Sequence, residues 1–239
     1  MIPSTPPRSI FTDILPIWTS TQNDLKCVFR WSRFIEKNPL LRKQSVLDHQ
    51  YSVLSVIDIV LSLLKTYNPD LNELLLLRAF KVHDQPEAMY VLNGYDCLAD
   101  KKTQEKDIEE YLFFKKNYIH LPAISYVVQE YAYLLQYALK LNDLFPVEAI
   151  EIMDKIKKDN VLEARIFEAL ESWEYLFYAY ECYLYHNDEY IFTQVIRREL
   201  SVLQKHAVII PGFRQEIFRG DFEDYLKKFL EDHKDVPVD

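Results

Sequence analysis

An all-α, single-domain helical bundle is what this 239-residue sequence predicts, and three observations carry that expectation. Apolar residues recur at helical spacing in segment after segment, the pattern of helices that each turn one face to a core. No Gly/Ser-rich or long polar linker divides the chain into separate units. Hydrophobic residues make up 49% of the sequence and aromatics 14%, enough apolar surface to exclude general disorder.

Composition also removes several functions. Glycine occurs only at positions 94, 212 and 220, which leaves no Gly-rich phosphate loop and no dinucleotide fingerprint, so any phosphate must be held by side chains or a metal. A formal net charge of -9 argues against a nucleic-acid polymer as partner, because affinity there rests on neutralising many phosphates. A local basic pocket for one phosphate stays compatible with it. Cys27, Cys97 and Cys182 are far apart in the sequence and form no Cys-x-x-Cys, as expected of a reducing compartment rather than a zinc finger. The N-terminus lacks the pattern of a signal peptide, and the longest apolar helix, read over residues 53–64, is too short to span a bilayer. A cytoplasmic protein without membrane contact is the expectation.

In chain order, residues 1–24 read as an N-terminal arm, irregular over its first ten residues with their three prolines, and the domain proper runs from 25 to 239. Its first helix is expected over 25–35, carrying Leu25, Val28, Phe29 and Ile35 on one side, with Arg30 and Trp31 inside it. After a turn at Asn38-Pro39, a strongly apolar helix follows. Val46, His49, Val53, Val56, Ile57, Val60 and Leu64 share one face of it, so the His49 imidazole points at the core. Asn68-Pro69-Asp70 closes that helix. The next contains four consecutive leucines and must end near Asp84 or Gln85, because Pro86 cannot continue it.

The pattern loosens over residues 89–102, then resumes in helices over 108–116 and 123–141, the second with Tyr126, Tyr131, Tyr133 and Tyr137 as a core or interface stripe. Another helix runs from 147 to 156. The one over 164–178 is apolar on most of its circumference, which implies burial and leaves Glu171 and Glu174 in need of partners. A turn at 186–189, a helix over 190–206 and an amphipathic last helix over 221–233 complete the chain. His120, His186, His206 and His233 show no ligand spacing, and Arg197-Arg198 reads as solvated or ion-paired.

The residues that suggest chemistry are His83-Asp84, at the inner end of a leucine-rich helix, and His49, opening another. Polar groups so placed need a partner. The 34 residues between the two histidines suffice for an antiparallel hairpin that brings them together. Asp48 is a candidate acceptor for the other N–H of His49. In order, the chain shows Arg30-Trp31, then Ser45-Val46-Leu47-Asp48-His49, then His83-Asp84-Gln85-Pro86-Glu87.

This set resembles the HD-domain phosphohydrolases, most nearly their 5'-deoxynucleotidase branch, with its Arg-Trp, Ser-Val-x-[Glu/Asp]-His and His-Asp-x-x-Glu elements. The resemblance implies a helical HD-type bundle and one divalent ion (Mn, Co, Fe, Zn or Mg) held by His49, His83, Asp84 and a downstream carboxylate. The best register puts Glu171 at that fourth position, where the family has an aspartate. By the same resemblance Arg30 contacts a nucleotide phosphate, Trp31 lies near the sugar and disfavours a 2'-hydroxyl, Glu87 serves as general acid or base, and Asp96 helps position the attacking water. Asp96 comes one residue later than in the family pattern, after Gly94-Tyr95.

The activity implied is hydrolysis of a (deoxy)nucleoside 5'-monophosphate by a metal-activated water. The partner implied is a nucleotide or other small phosphomonoester, and relatives of this kind often form homodimers. The alternatives are an HD-fold hydrolase of another phosphomonoester or a cyclic nucleotide, and a helical binding or scaffold protein that has lost the site.

Overall fold

The computed structural model describes residues 10–31, 34, 43–92, 94, 103–119, 121, 123–140 and 143–238, and the side chains among these from residue 19 onward. The chain is all-α. The helices bounded by described residues are α1 (Ile10–Cys27), α2 (Val46–Tyr67), α3 (Glu73–Val82), α4 (Gln104–Tyr118), α5 (Ala123–Leu134), α6 (Val147–Asp159), α7 (Val161–His186), α8 (Glu189–Ile209), α9 (Phe213–Glu216) and α10 (Gly220–Asp232). Two 3-10 segments, Gln85–Tyr90 and Leu135–Tyr137, follow α3 and α5. Among the described residues the only extended pairing is one antiparallel bridge between Phe29 and Ser45.

Local chemistry explains the boundaries that matter to the site. Ser45 caps α2: its hydroxyl accepts the Asp48 N–H at 3.1 Å and donates to the Asp48 carboxylate at 2.7 Å. Asn68 ends the same helix, its side chain donating to the carbonyls of Leu64 and Pro211. Asn72 caps α3 by accepting from Leu75 N. That helix stops at Val82, with Pro86 in the first turn of the following 3-10 segment, where a missing N–H is tolerated. Asn187, left-handed at φ 53°, terminates α7, and Asp188 caps α8 through Ile191 N.

Helix α7 packs along α8 and also meets α3 and α6, while α2 packs on α3. Val53, Ile57, Leu61 and Leu64 of α2, Leu76, Ala79 and Phe80 of α3, and Ile166, Phe167 and Leu170 of α7 therefore share one core. Burying side chains of this size contributes roughly 1.5–3 kcal/mol each before conformational entropy is subtracted. That core fixes the polar end of α3 against the middle of α7.

Four expectations need correction. The segment read as an arm is helical from Ile10, and α1 packs on α2 and the first 3-10 segment. The helix expected over 25–35 ends at Cys27, because Val28 O accepts from Val46 N and Arg30 N donates to Gln44 O. This bridge draws Arg30 and Trp31 out of helical geometry, and Trp31 takes φ 67°. The apolar helix read over 53–64 spans 22 residues as α2, long and apolar enough by length and composition to cross a membrane, yet it contributes much of the core. Helix α5 is also shorter than expected, passing into a 3-10 turn at Leu135.

Candidate metal centre

Four elements meet at one buried point. His49 enters from the first turn of α2, His83 and Asp84 from the end of α3, Glu171 from the middle of α7, and Arg30-Trp31 from the bridged segment after α1. His49 is fully buried, and His83 and Asp84 nearly so. His49 Nε2 lies 3.3 Å from Asp84 Oδ2, while His83 Nε2 lies 3.0 Å from Asp84 Oδ1 and 3.1 Å from Glu171 Oε1. One donor atom each from His49, His83 and Glu171 falls within 4.8 Å of the others.

The opposite ring nitrogens fix the tautomers. His49 Nδ1 lies 2.9 Å from Glu174 Oε1, and His83 Nδ1 lies 2.9 Å from the Phe80 carbonyl. Both acceptors require an N–H, so each neutral imidazole turns a bare Nε2 lone pair toward the carboxylates. His49 Nε2, His83 Nε2, Asp84 Oδ2 and Glu171 Oε1 accordingly find no hydrogen-bond partner among the described residues. Lone pairs facing one another at about 3 Å in a buried site repel unless a cation lies among them.

The donor set fits a divalent ion. Ligands at roughly 2.0–2.2 Å from a common centre sit about 3.0–3.4 Å apart, and the His49–Asp84, His83–Asp84 and His83–Glu171 pairs fall at 3.3, 3.0 and 3.1 Å. Two imidazole nitrogens with carboxylate oxygens suit Mn, Co, Fe, Zn or Mg without choosing among them.

Without an ion, a proton is the other cation available. Burial opposes charge on His83, but Asp84 and Glu171 outweigh it and raise the His83 pKa well above 6.5. For Asp84, burial is likewise overcome, by His83 and then His49, and its pKa falls well below 3.8. Glu171 is lowered from 4.5, against burial, chiefly by His83. A raised histidine value stabilises the fold fully below its ordinary pKa, and that stabilisation is lost as pH rises through the raised one. The lowered carboxylates contribute above their ordinary values and lose this as pH falls through the lowered ones. The metal-free protein should thus melt highest between about pH 4.5 and 6.5 and lose stability toward alkaline pH, whereas divalent metal should remove the alkaline decline. Thermal melts in chelator and in Mn(II) across this range check it; alkaline slopes that match would rule it out.

Arg30 is 5% exposed, with Nη1 3.7 Å from Glu174 Oε2 and its guanidinium 5.0 Å from the Tyr175 ring centroid. Burial opposes its charge, but Tyr175, Glu174, Asp84 and Glu87 together raise its pKa, so it remains a cation. Trp31 stacks on Tyr178 at 4.6 Å, meets Tyr175 edge-on at 5.6 Å and donates from Nε1 to Gln44 Oε1. These contacts hold its positive-φ backbone, a strained state of the kind found at functional sites. Glu87 is buried in the 3-10 segment, its N–H on the Asp84 carbonyl.

The structure therefore gathers His49, His83, Asp84 and Glu171, with Arg30 and Trp31 joined to them through Glu174 and Tyr175. Asp96 lies outside the described residues. Asp48 does not serve His49: it is exposed and its carboxylate is used in the Ser45 cap. Glu174 takes that place. Its only sequence signal was an acid in a buried helix, three residues after Glu171. Arg198, expected to be solvated or ion-paired, pairs with Glu199 and also lies 4.9 Å from the Tyr175 ring centroid. His206 is buried against Glu168, away from any ligand set.

Comparison with protein-family models, with curated proteins and with solved structures finds no match to this chain. The molecule is defined by its own geometry, as an all-α protein in which His49, His83 and Glu171 could hold a metal ion, with Asp84 beside both histidines.

Proposed function

We propose that the chain is a metal-dependent phosphohydrolase of the HD-domain type that releases phosphate from (deoxy)nucleoside 5'-monophosphates. The observation that supports it most is the set of bare donor atoms at one point, His49 Nε2, His83 Nε2, Asp84 Oδ2 and Glu171 Oε1, with each imidazole N–H committed elsewhere. The order of the Arg-Trp, His and His-Asp-x-x-Glu elements along the chain supplies the reaction class.

His49, His83, Asp84 and Glu171 hold the ion in this reading. A divalent ion there supplies charge stabilisation for phosphoryl oxygens and makes water a competent nucleophile near neutral pH. Arg30 presents a planar fork of donors that suits phosphate oxygens and draws the substrate to a fixed orientation. Glu87, whose charge is felt by Arg30, accepts the proton of the attacking water and returns one to the leaving 5'-oxygen. Trp31, braced by Tyr178 and Gln44, forms the wall toward the sugar.

Elemental analysis and an assay for phosphate release on the same sample test this reading. The substrates are 5'-ribo- and 5'-deoxynucleotides, a cyclic nucleotide and an unrelated phosphomonoester, each with added Mn(II) or Co(II). About one ion per chain and release from the 5'-monophosphates are expected. Release confined to another substrate overturns the nucleotide assignment. Failure to bind metal or turn over under any reconstitution overturns the enzyme reading in favour of a scaffold.

A further inference from the structure

We infer that Glu174 is a positioning residue that ties the metal ligand His49 to Arg30, so that one carboxylate sets both the hold on the ion and the pull on phosphate. The inference rests on the phosphohydrolase reading above and assigns a role within that site to a residue that the motifs do not include.

Glu174 follows Glu171 by three residues on α7, so both side chains project from one face of the helix into the cluster. It is 8% exposed. Its two oxygens serve different partners: Oε1 accepts from His49 Nδ1 at 2.9 Å, and Oε2 faces Arg30 Nη1 at 3.7 Å. A hydroxyl or a single carbonyl could not meet both demands. The His49 contact fixes the ring orientation and its tautomer and makes Nε2 a stronger donor, the usual role of a carboxylate behind a ligand histidine. The Arg30 contact offsets part of the guanidinium charge inside the protein and thereby weakens its attraction for an incoming anion.

The two roles separate by substitution. Glu174→Gln keeps an oxygen that can accept from His49 but removes the charge opposite Arg30. Glu174→Ala removes both contacts. Co(II) is the metal probe, followed by its visible absorption, and inorganic phosphate is the anion probe, measured by calorimetry on Co(II)-loaded protein. Circular dichroism monitors the fold throughout.

Co(II) affinity should fall on the order of 10- to 100-fold in Glu174→Ala and recover to within a few-fold of wild type in Glu174→Gln. Phosphate should bind Glu174→Gln about threefold tighter or more, because Arg30 loses one of the negative charges that offset it inside the protein. A folded Glu174→Ala that holds Co(II) within about threefold of wild type overturns the positioning role. Should Glu174→Ala fail to fold, the near-isosteric Glu174→Gln still decides the coupling, since unchanged or weaker phosphate binding overturns it. Wild-type protein that takes up no Co(II) overturns the metal-centre reading and this inference with it, whereas wild-type uptake with unaltered variants overturns this inference alone.

Discussion

His83→Ala should abolish metal binding and reduce phosphate release by about three orders of magnitude or more, to background, while leaving the helical content intact. A single atom of His83, Nε2, approaches two carboxylates, Asp84 at 3.0 Å and Glu171 at 3.1 Å. Removing it deletes a ligand and leaves those acids adjacent, so added metal cannot rescue the site simply by mass action. The backbone should tolerate the change. His83 sits at the C-terminal cap of α3 in a helical conformation, which alanine adopts readily. Its ring contacts with Phe80 and Phe167 will be lost, and a modest fall in melting temperature is expected with them. Metal content, turnover and circular dichroism on one preparation check the result, with His186→Ala, an exposed histidine at the end of α7, as control. Retained metal and turnover in His83→Ala would falsify the assignment of the centre.

Glu171→Asp should weaken the centre rather than improve it, although aspartate is the residue the resembled family places there. The glutamate already reaches His83 Nε2 at 3.1 Å from the backbone position that α7 provides. Shortening the side chain by one methylene withdraws the carboxylate by roughly 1.5 Å. Misplacement by about 1 Å is enough to disable a preorganised site, and the packed α3–α7 contact leaves little freedom to close the gap. Metal affinity should fall about tenfold or more, equivalent to at least ~1.4 kcal/mol, with turnover falling in parallel at subsaturating metal. Titration with Co(II) reads this directly. Equal or tighter binding by the aspartate variant would mean that α7 lies close enough to the cluster for aspartate, rather than glutamate, to be the fitted length.

Most helices were legible from the chain. The apolar period of α2, the proline after α3, the Asn-Pro and Asn-Asp stops and the amphipathic pattern of α10 are local signals, decided within a turn or two by side-chain periodicity and capping. The inward direction of His49 followed from the same period. So did the need for partners at Glu171 and Glu174, since a buried acid on an apolar helix is unstable alone.

Other features had no local signal. The exit of Arg30 and Trp31 from helix depends on hydrogen bonds to Gln44 and Val46 more than a dozen residues away, and the left-handed backbone of Trp31 is held by Tyr178 on a distant helix. Nor could spacing distinguish Asp48 from Glu174 as the acceptor for His49. Asp48 is adjacent in sequence but committed to capping α2, whereas Glu174 is 125 residues away and arrives only because α7 packs into the common core. The sequence by itself determined most of the helices and the burial of His49 and of the Glu171–Glu174 face, because periodicity and capping are short-range. Only the tertiary structure decided which buried groups face one another, because that depends on helices packing across long separations in the chain.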